Sequence, residues 1–246
     1  MLTGTALLNE LVDELNELKL STMAATLDTI YHKPGFLETD RLTLIAELIG
    51  PQFQEKVNTA LKNRLTAAHL KGSPEELSEC RDSDKREYLP NGITDLLSSL
   101  DFIEKGLNLC ILGESDAGKT YLAKAIGIKA CSHYNVGYFH SEQFLEGMVA
   151  LKELDYDKYT RKMNKYLKWE VIILDDFLLH TVTDKREIKV LFELLEKRNE
   201  SHKSTIVCSQ RDPANWKSMI LNDEVSANAI LKRATKHYTV VIQPRN

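Results

Sequence analysis

The segment Gly113–Thr120 constrains this chain more than any other. Its sequence, GESDAGKT, fits the pattern GxxxxGK[ST], in which backbone N–H groups surround the phosphates of a nucleotide. An apolar stretch at 107–112 precedes it and a helical pattern follows it, which is the context that such a loop requires. A glycine-rich turn before an ordinary helix is the alternative interpretation. We expect nucleotide contacts from nine consecutive residues: Gly113, Glu114, Ser115, Asp116, Ala117, Gly118, Lys119, Thr120 and Tyr121.

The chemistry expected of this loop depends on the last residues of the pattern. Its glycines let backbone N–H groups point at phosphate oxygens, and the N-terminus of the following helix adds a partial positive charge there. The Lys119 ammonium would contact the β- and γ-phosphates, and the Thr120 hydroxyl would be a ligand of Mg²⁺. The predicted cofactors are therefore ATP and Mg²⁺.

A second acidic element supports this interpretation. The stretch 170–176, EVIILDD, is an apolar run that ends in two carboxylates. Parallel strands that are buried on both faces have such runs, and ligands bind at their carboxyl ends. Asp175 would hold Mg²⁺, and Asp176 would polarise the attacking water as a general base. Capping of the next helix is the alternative, but it does not account for the apolar residues in front.

Length and composition are those of a soluble globular protein with one large or two small domains. No apolar run approaches ~18 residues, so we expect no membrane-spanning helix. The N-terminus lacks the basic region of a signal peptide. The four cysteines form no CxxC pair, which favours a reducing compartment and predicts a cytoplasmic location. Because the net charge is −4, any nucleic-acid site must arise from a local cluster of cations.

Hydrophobic periodicity divides the chain into a helical part and an α/β part. Residues 1–71 have no strand pattern and predict a small helical domain of four helices, the third of which ends at Gly50-Pro51. Residues 72–92 are polar and rich in turn residues, and they predict a linker. Residues 93–246 predict an ATPase domain with a parallel sheet. Its strands are expected at 107–112, 134–140, 171–175, 204–208 and 239–242.

Two further sites are candidates for a role in catalysis. The apolar stretch 204–208 is followed by Ser209 and Gln210, and Gln210 would orient the water or sense the γ-phosphate. An ordinary exit from a strand is the alternative. Arg233 follows an apolar helical stretch and would act as an arginine finger, because such a cation stabilises charge on the transferring phosphoryl group. A solvated surface arginine is the alternative there.

Two clusters of basic residues are candidates for DNA binding. One recurs at helical spacing just before the stretch 170–176, and the other follows it. Cations on one face suit a phosphate backbone, and a solvated cationic face is the alternative. Aromatic residues are interleaved with the first cluster and would stack on bases or anchor the helix in the core. The predicted DNA-binding residues are Lys158, Arg161, Lys162, Lys165 and Lys168 in the first cluster, and Lys185 and Arg186 in the second.

The ordered set of motifs resembles the IstB-like branch of the AAA+ ATPases, which also contains the DnaC-type helicase loaders. The likeness covers nearly the whole chain. Besides the phosphate loop it rests on the approach to that loop at 98–113, the paired aspartates in 173–177, the stretch 207–210 and the stretch 215–233. The resemblance implies an α/β fold of the AAA+ P-loop type, in which helices flank a central parallel sheet. A small all-helical N-terminal domain would precede it, with no separate lid domain.

The resemblance also implies a function. Members of the family are ATP-dependent DNA-binding helpers of a transposase, hydrolyse ATP, and assemble as homo-oligomers on duplex DNA. By this resemblance Gln210 is the sensor 1 residue, and Arg233 is the arginine finger that acts on a neighbouring subunit. A DnaC-like loader that binds a replicative helicase and single-stranded DNA is one alternative, and a metabolic P-loop kinase is another.

The sequence departs from the family pattern in three places. The loop carries Glu114, Ser115 and Asp116 where many relatives have Pro-Pro-Gly, and the added acids are expected to weaken nucleotide affinity without abolishing it. The fourth predicted helix has few cations where many relatives have an arginine-rich helix, so its DNA contacts are in doubt. The chain ends soon after the last predicted strand, which leaves only Arg245 as a candidate sensor 2 arginine.

Overall fold

A computed structural model describes residues 4–220 and 224–245 of the chain. The chain divides into two compact units, Met1–Asn63 and Arg64–Asn246. The second unit contains the sheet and the phosphate loop. Within the described residues, no helix is both long enough and apolar enough to cross a membrane.

Helices form the first unit. Leu8 on the first helix and Ala24 and Ile30 on the second are buried. The Gln52 side chain accepts a 3.1 Å hydrogen bond from the backbone N–H of Met23, which ties the second helix to the third. The helices are α1 (Gly4–Glu17), α2 (Ser21–Tyr31) and α3 (Arg41–Ala67), with a 3₁₀ turn at Phe36–Glu38.

The predicted break at Gly50-Pro51 is wrong, because α3 continues through it. A proline inside a helix removes one backbone hydrogen bond and costs ~3 kcal/mol, but the penalty is local. Several helical turns on each side outweigh it. The start of α3 is also well capped, since the Asp40 carboxylate accepts hydrogen bonds of 3.1 Å from the backbone N–H groups of Leu42 and Thr43.

A six-stranded sheet forms the centre of the second unit, in the order β1-β6-β2-β5-β4-β3. All neighbouring strands are parallel except β1 and β6, which are antiparallel. Every residue of β4 and β5 is buried, as expected for strands covered by helices on both faces. The strands are β1 (Arg86–Leu89), β2 (Leu109–Leu112), β3 (Val136–His140), β4 (Val171–Asp175), β5 (Ser204–Ser209) and β6 (Tyr238–Pro244).

The five predicted strands are all present, and β1 is an addition. It lies in the segment 72–92, which the sequence predicted as a linker. Its sequence, REYL, is short and carries two charges, so it has little of the pattern by which buried strands are recognised. Pairing with β6 at the edge of the sheet, rather than local propensity, makes this segment a strand.

Helices surround the sheet and connect its parallel strands. Because parallel neighbours need a crossover, a helix separates most pairs of consecutive strands along the chain. The helices are α4 (Ile93–Ser98), α5 (Asp101–Glu104), α6 (Lys119–Ala130), α7 (Ser141–Leu154), α8 (Tyr156–Lys168), α9 (Lys185–Glu200) and α10 (Glu224–Ala234), with 3₁₀ turns at Leu77–Glu79 and Pro213–Met219.

A fully buried arginine on α9 holds the end of α8 to the sheet. The Arg198 guanidinium donates hydrogen bonds to the carbonyl oxygens of Tyr166 (2.7 Å) and Trp169 (3.0 Å). It also donates to the Thr205 hydroxyl at 3.1 Å and to the Ser204 carbonyl. The last carbonyls of a helix carry partial negative charge, so a cation is well placed there. Arg198 therefore fixes the connection between α8 and β4.

Candidate nucleotide-binding site

The phosphate loop joins β2 to α6 at the carboxyl edge of the sheet. Gly113 lies against β6, where a Cβ atom would stand 2.5 Å from the carbonyl oxygen of Ile242, so only glycine fits. Gly118 has φ +107°, a conformation that residues with side chains rarely adopt. These two glycines fix the path of the loop. Glu114, Ser115 and Asp116, the departures from the family pattern, are exposed between them.

Lys119 spans the loop from the first turn of α6. Its side chain is buried, and its ammonium donates a 2.6 Å hydrogen bond to the carbonyl oxygen of Glu114. Arg86 on β1 contacts the same loop and donates a 3.2 Å hydrogen bond to the carbonyl oxygen of Ala117. The sequence did not predict this second cation at the loop, because its segment lacks a recognisable strand pattern.

Tyr121, the last of the predicted nucleotide contacts, is directed at the segment before β1. Its hydroxyl donates a hydrogen bond to the Glu79 carboxylate and accepts one of 3.2 Å from the backbone N–H of Glu76. These bonds anchor the first turn of α6, and a nucleotide contact from this side chain remains a prediction.

The Asp175 carboxylate joins the loop to the centre of the sheet. Asp175 is buried at the end of β4, and its Oδ2 atom accepts a 2.8 Å hydrogen bond from the Thr120 hydroxyl. The same oxygen accepts a 2.6 Å hydrogen bond from the hydroxyl of Tyr138, which is on β3. Burial and the neighbouring carboxylate raise the pKa of Tyr138, so this phenol stays protonated and acts as a donor. A hydroxyl and a carboxylate therefore stand together where the sequence predicted a Mg²⁺ site.

Asp176 is more accessible than Asp175. It follows the end of β4 in a left-handed conformation with φ +53°, and its backbone N–H donates a 3.0 Å hydrogen bond to Asp175 Oδ1. Its Oδ2 atom lies 3.4 Å from Nδ1 of His140, the last residue of β3. The side chains of His140 and Asp176 are 49% and 42% exposed, so water reaches this carboxylate. A half-exposed carboxylate beside a buried one suits the predicted difference in their roles.

Two buried thiols lie among the strands beneath the carboxylates. Burial raises the pKa of Cys110 on β2 to about 12. Burial also raises the pKa of Cys208 on β5, and the negative charge of Asp175 adds to this effect. Both thiols therefore remain neutral at ordinary pH and behave as small apolar side chains. Neither is a nucleophile.

Strand β5 lies between β2, which leads into the phosphate loop, and β4, which ends in Asp175. Ser209 pairs in register with Leu112, the last residue before the phosphate loop. Ser209 is buried, and its hydroxyl accepts a 3.2 Å hydrogen bond from the backbone N–H of Arg211. Gln210 is exposed at the same edge of the sheet. Its role as sensor 1 remains a prediction.

Arg233 lies within its own subunit's fold. Its guanidinium forms an ion pair with Glu196 on α9, and Nη1 donates a 3.0 Å hydrogen bond to the carbonyl oxygen of Ala229. The guanidinium also stands over the ring of Phe192, 5.5 Å from its centre. The side chain is 20% exposed. To act on a neighbouring subunit it would first have to leave Glu196. Arg245, the candidate sensor 2 residue, lies beside Glu87 at the β1 edge of the sheet.

The first basic cluster lies on one helix, and its members differ in their partners. Lys158 is paired with Asp155 at 3.1 Å, and Lys165 stands over the ring of Trp169. Arg161, Lys165 and Lys168 line a shallow depression beside Trp169, and Lys162 is exposed nearby on the same helix. In the second cluster, Lys185 is exposed, whereas the Arg186 guanidinium is paired with Asp184 and Glu153.

The aromatic residues between these cations mainly anchor α8. Tyr159, Tyr166 and Trp169 are buried in the core, whereas Tyr156 is exposed. The sequence left two roles for these aromatic residues, stacking on bases or anchoring the helix in the core. Three of the four have the anchoring role. The exposed face that remains for a partner is mainly cationic.

The strand order and the loop define the class of this protein. A parallel sheet with the phosphate loop after one strand, paired aspartates after another and a third strand between them is the arrangement of a P-loop ATPase of the AAA+ type. The sequence model of the IstB-like ATP binding protein family matches residues 13–245. The chain belongs to this family.

Individual relatives agree with that assignment. An insertion sequence ATP-binding protein of Sinorhizobium fredii, y4uH, is 31% identical over 225 residues, which are 89% of this chain and 87% of the relative. The ATP-binding protein of insertion sequence IS232 from Bacillus thuringiensis is 28% identical over 236 residues, covering 94% and 90%. Both relatives therefore match along almost their whole length.

Solved structures with a similar fold are more distant in sequence. DnaA from Aquifex aeolicus, bound to AMPPCP, has a TM-score of 0.56 and 19% identity, and the match covers 70% of this chain and 50% of DnaA. The DnaC helicase loader has a TM-score of 0.52 and 18% identity, covering 74% and 99%. These similarities confirm the AAA+ fold.

Proposed function

We propose that this chain is an ATP-dependent DNA-binding helper of a transposase. It assembles as a homo-oligomer on duplex DNA and hydrolyses ATP, with Mg²⁺, to regulate transposition or target selection. Relatives named for insertion sequences support this context. The observation that carries the proposal is the connection between α8 and β4. The cationic helix ends at Lys168, and β4 begins at Val171 and leads directly to Asp175.

The residues around the loop fit ATP and Mg²⁺. When bound, ATP supplies the γ-phosphoryl group and Mg²⁺ neutralises charge that develops on it. Lys119 would then donate to phosphate oxygens instead of the Glu114 carbonyl, because they are the better partners for an ammonium. Thr120 and Asp175, whose side-chain oxygens are 2.8 Å apart, would hold the cation. Asp176 accepts the proton of the attacking water, because it is the solvent-accessible carboxylate at this edge.

The exposed cations of α8 contact the phosphate backbone of DNA. Among the described residues Lys162, Lys165 and Lys168 form no ion pair with a carboxylate, and Arg161 acts on the Asp155 carboxylate only through its charge, without an ion-pair contact. Each phosphate that they neutralise releases counterions, so affinity falls with salt by about 0.9 log units per log unit for each contact. Lys158 and Arg186 contribute less, because carboxylates of the same chain already neutralise them.

Fluorescence anisotropy with labelled DNA tests this function. Duplex and single-stranded probes of equal length are titrated with protein at fixed salt, in ATP and Mg²⁺, in ADP, or without nucleotide. The proposal predicts sequence-tolerant binding to duplex that ATP strengthens, together with an ATP-dependent increase in mass by light scattering. Preference for the single strand would favour a helicase loader instead, and binding to neither probe would contradict DNA binding altogether.

A variant of the loop lysine shows whether ATP controls assembly. Lys119→Ala removes the cation that spans the loop, and we expect loss of both ATP-strengthened DNA binding and the increase in mass. Lys129→Ala, at the other end of the same helix, is the matched control and should behave like the unaltered protein. Assembly that persists in Lys119→Ala would contradict the ATP-dependent mechanism.

A further inference from the structure

A cavity of about 400 Å³ opens at the β3 edge of the sheet, between β3, α7 and α8. Its floor is aromatic. The Phe139 ring lies 5.0 Å from Phe144 and 5.1 Å from Tyr166, measured between ring centres. Phe144 and Tyr166 are buried, whereas Phe139 is only partly buried and offers ring surface to the cavity. The nucleotide site described above does not use this cavity.

The rim of the cavity is polar and includes one lysine and two histidines. Lys162 is on the rim, and it is also part of the exposed basic face of α8. His69, from the segment after α3, and His140, at the end of β3, stand on other sides. His69 contacts Phe139 edge to face at 6.0 Å. Among the described residues, no carboxylate lines this cavity.

We propose that this cavity binds one unstacked nucleotide of the DNA, with its base on the Phe139 ring and its phosphate at Lys162. The proposal rests on the DNA-binding function above and adds a site to it. Aromatic rings bind bases by stacking without regard to sequence, and cations at the mouth bind the backbone that leads to them. Lys162 joins the two parts, because it belongs both to the basic face and to the rim.

The cavity and the site of hydrolysis share a side chain. His140 lines the cavity, and the same imidazole lies 3.4 Å from the Asp176 carboxylate. A nucleotide in the cavity therefore contacts a side chain that also contacts Asp176. Binding of the nucleotide therefore changes the surroundings of the carboxylate that accepts the proton from water.

A substitution at Gly147 tests the cavity without removing any contact with the nucleotide. It lies on the exposed side of α7 at the cavity wall, and a Cβ atom there would meet nothing within 4 Å. Gly147→Leu places a side chain in this space while leaving the rings and Lys162 in place. Gly147→Ala adds only a methyl group and leaves most of the volume. Gly50→Leu, at another helical glycine with open space around it, is the control for the added leucine.

The measurement compares two oligonucleotides of equal length and charge, one of thymidines and one of abasic sites. We expect the unaltered protein to bind the thymidine strand about tenfold more tightly, since each stacked base adds affinity that the backbone cannot. Gly147→Ala and Gly50→Leu should retain this ratio, and Gly147→Leu should reduce it to about one. Thermal unfolding shows whether each variant is folded. If Gly147→Leu does not fold, Gln143→Phe is used instead, because it fills the cavity from the neighbouring turn of α7.

The outcomes separate this site from the function that it serves. Equal binding of both strands by the unaltered protein, with duplex binding intact, would overturn the nucleotide cavity and leave the DNA-binding function standing. A ratio that survives both Gly147→Leu and Gln143→Phe would place the base elsewhere and would also overturn the site. Failure to bind any DNA would overturn both proposals.

Discussion

Tyr138 and Thr120 donate hydrogen bonds to the same oxygen of Asp175, at 2.6 Å and 2.8 Å. The two donors come from different sides, one from the neighbouring strand and one from the helix after the phosphate loop. Asp175 is buried, so an unpartnered charge there would be costly. Tyr138 thus holds the carboxylate in place whether or not Thr120 turns toward a cation.

Tyr138→Phe tests this arrangement. The change removes the hydroxyl while keeping the ring, and we expect a loss of about 1.5–3 kcal/mol in the free energy of unfolding, because the bond is to a buried charged group. Half-maximal ATPase activity should also require more Mg²⁺. Urea unfolding and a Mg²⁺ titration measure the two effects. Tyr134→Phe is the control, since Tyr134 donates to Glu104 at the exposed surface. Equal losses in the two variants would contradict the role of Tyr138.

His140→Ala tests the contact with the proposed general base. The contact is half exposed, so it contributes no more than the ~0.2–1 kcal/mol of an exposed ion pair. If His140 restrains Asp176, its removal should raise the ATPase rate without DNA by up to about fivefold. Steady-state kcat and KM for ATP provide the measurement, with the effect expected in kcat. A fall in kcat would mean that His140 orients Asp176 for catalysis rather than restraining it.

Substitutions at Arg233 and Glu196 distinguish a role of the arginine in hydrolysis from a role in supporting the fold. If Arg233 acts on a neighbouring subunit's phosphate, Arg233→Ala should bind ATP normally and hydrolyse it at least about 10³-fold more slowly. Glu196→Gln breaks the same internal ion pair but keeps the arginine, so hydrolysis should persist. ATPase assays and nucleotide binding on both variants decide between them. Equal loss of activity would show that Arg233 acts by supporting the fold.

The salt dependence of DNA binding distinguishes the free cations of α8 from the paired ones. Lys162→Glu together with Lys165→Glu should weaken duplex binding and lower the salt slope by about two. Lys158→Glu together with Arg186→Glu is the matched control, and a smaller change is expected because carboxylates already neutralise both residues. An unchanged slope in the first double variant would mean that this face does not contact phosphate.

The burial of Cys110 predicts that the folded protein loses stability at alkaline pH. Its pKa is about 12 in the folded chain and lies near 9 in the unfolded chain, where burial no longer acts. Above pH 9 the unfolded state therefore loses a proton that the folded state keeps. The stability of the unaltered protein relative to Cys110→Ala should fall by about 1.4 kcal/mol per pH unit from pH 9 toward pH 12. Urea unfolding at pH 8, 9 and 10 measures the difference, which should be constant below pH 8.

Local patterns predicted the parts of the site that come from single stretches of chain. The phosphate loop, the strand ending in Asp175 and the strand before Gln210 each have their own signature, and the structure contains all three strands and the loop. The sequence did not indicate Tyr138 or His140. Their contacts with the two aspartates depend on the register of β3 against β4, which places His140 opposite Asp175. The polar end of β3 was the one available signal.

Other features depend on contacts that no short segment encodes. In the sequence Arg198 resembles an ordinary solvated residue of a charged helix. It is nevertheless fully buried, because four carbonyl oxygens from α8, from the connection between α8 and β4, and from β5 converge on it. The continuity of α3 through Pro51 likewise reflects the balance over a whole helix rather than one residue.

The antiparallel strand β1 has a practical consequence for anyone who wishes to isolate the ATPase part. A fragment that starts at residue 93 would lack Arg86 and its bond to the phosphate loop. It would also leave the N–H and C=O groups of β6 open along one edge, and such an edge is a template for pairing with other chains. A shortened protein cut there is expected to aggregate and to bind nucleotide poorly. A fragment that starts at Arg64 retains β1, which pairs with β6, and keeps the bond from Arg86 to the phosphate loop.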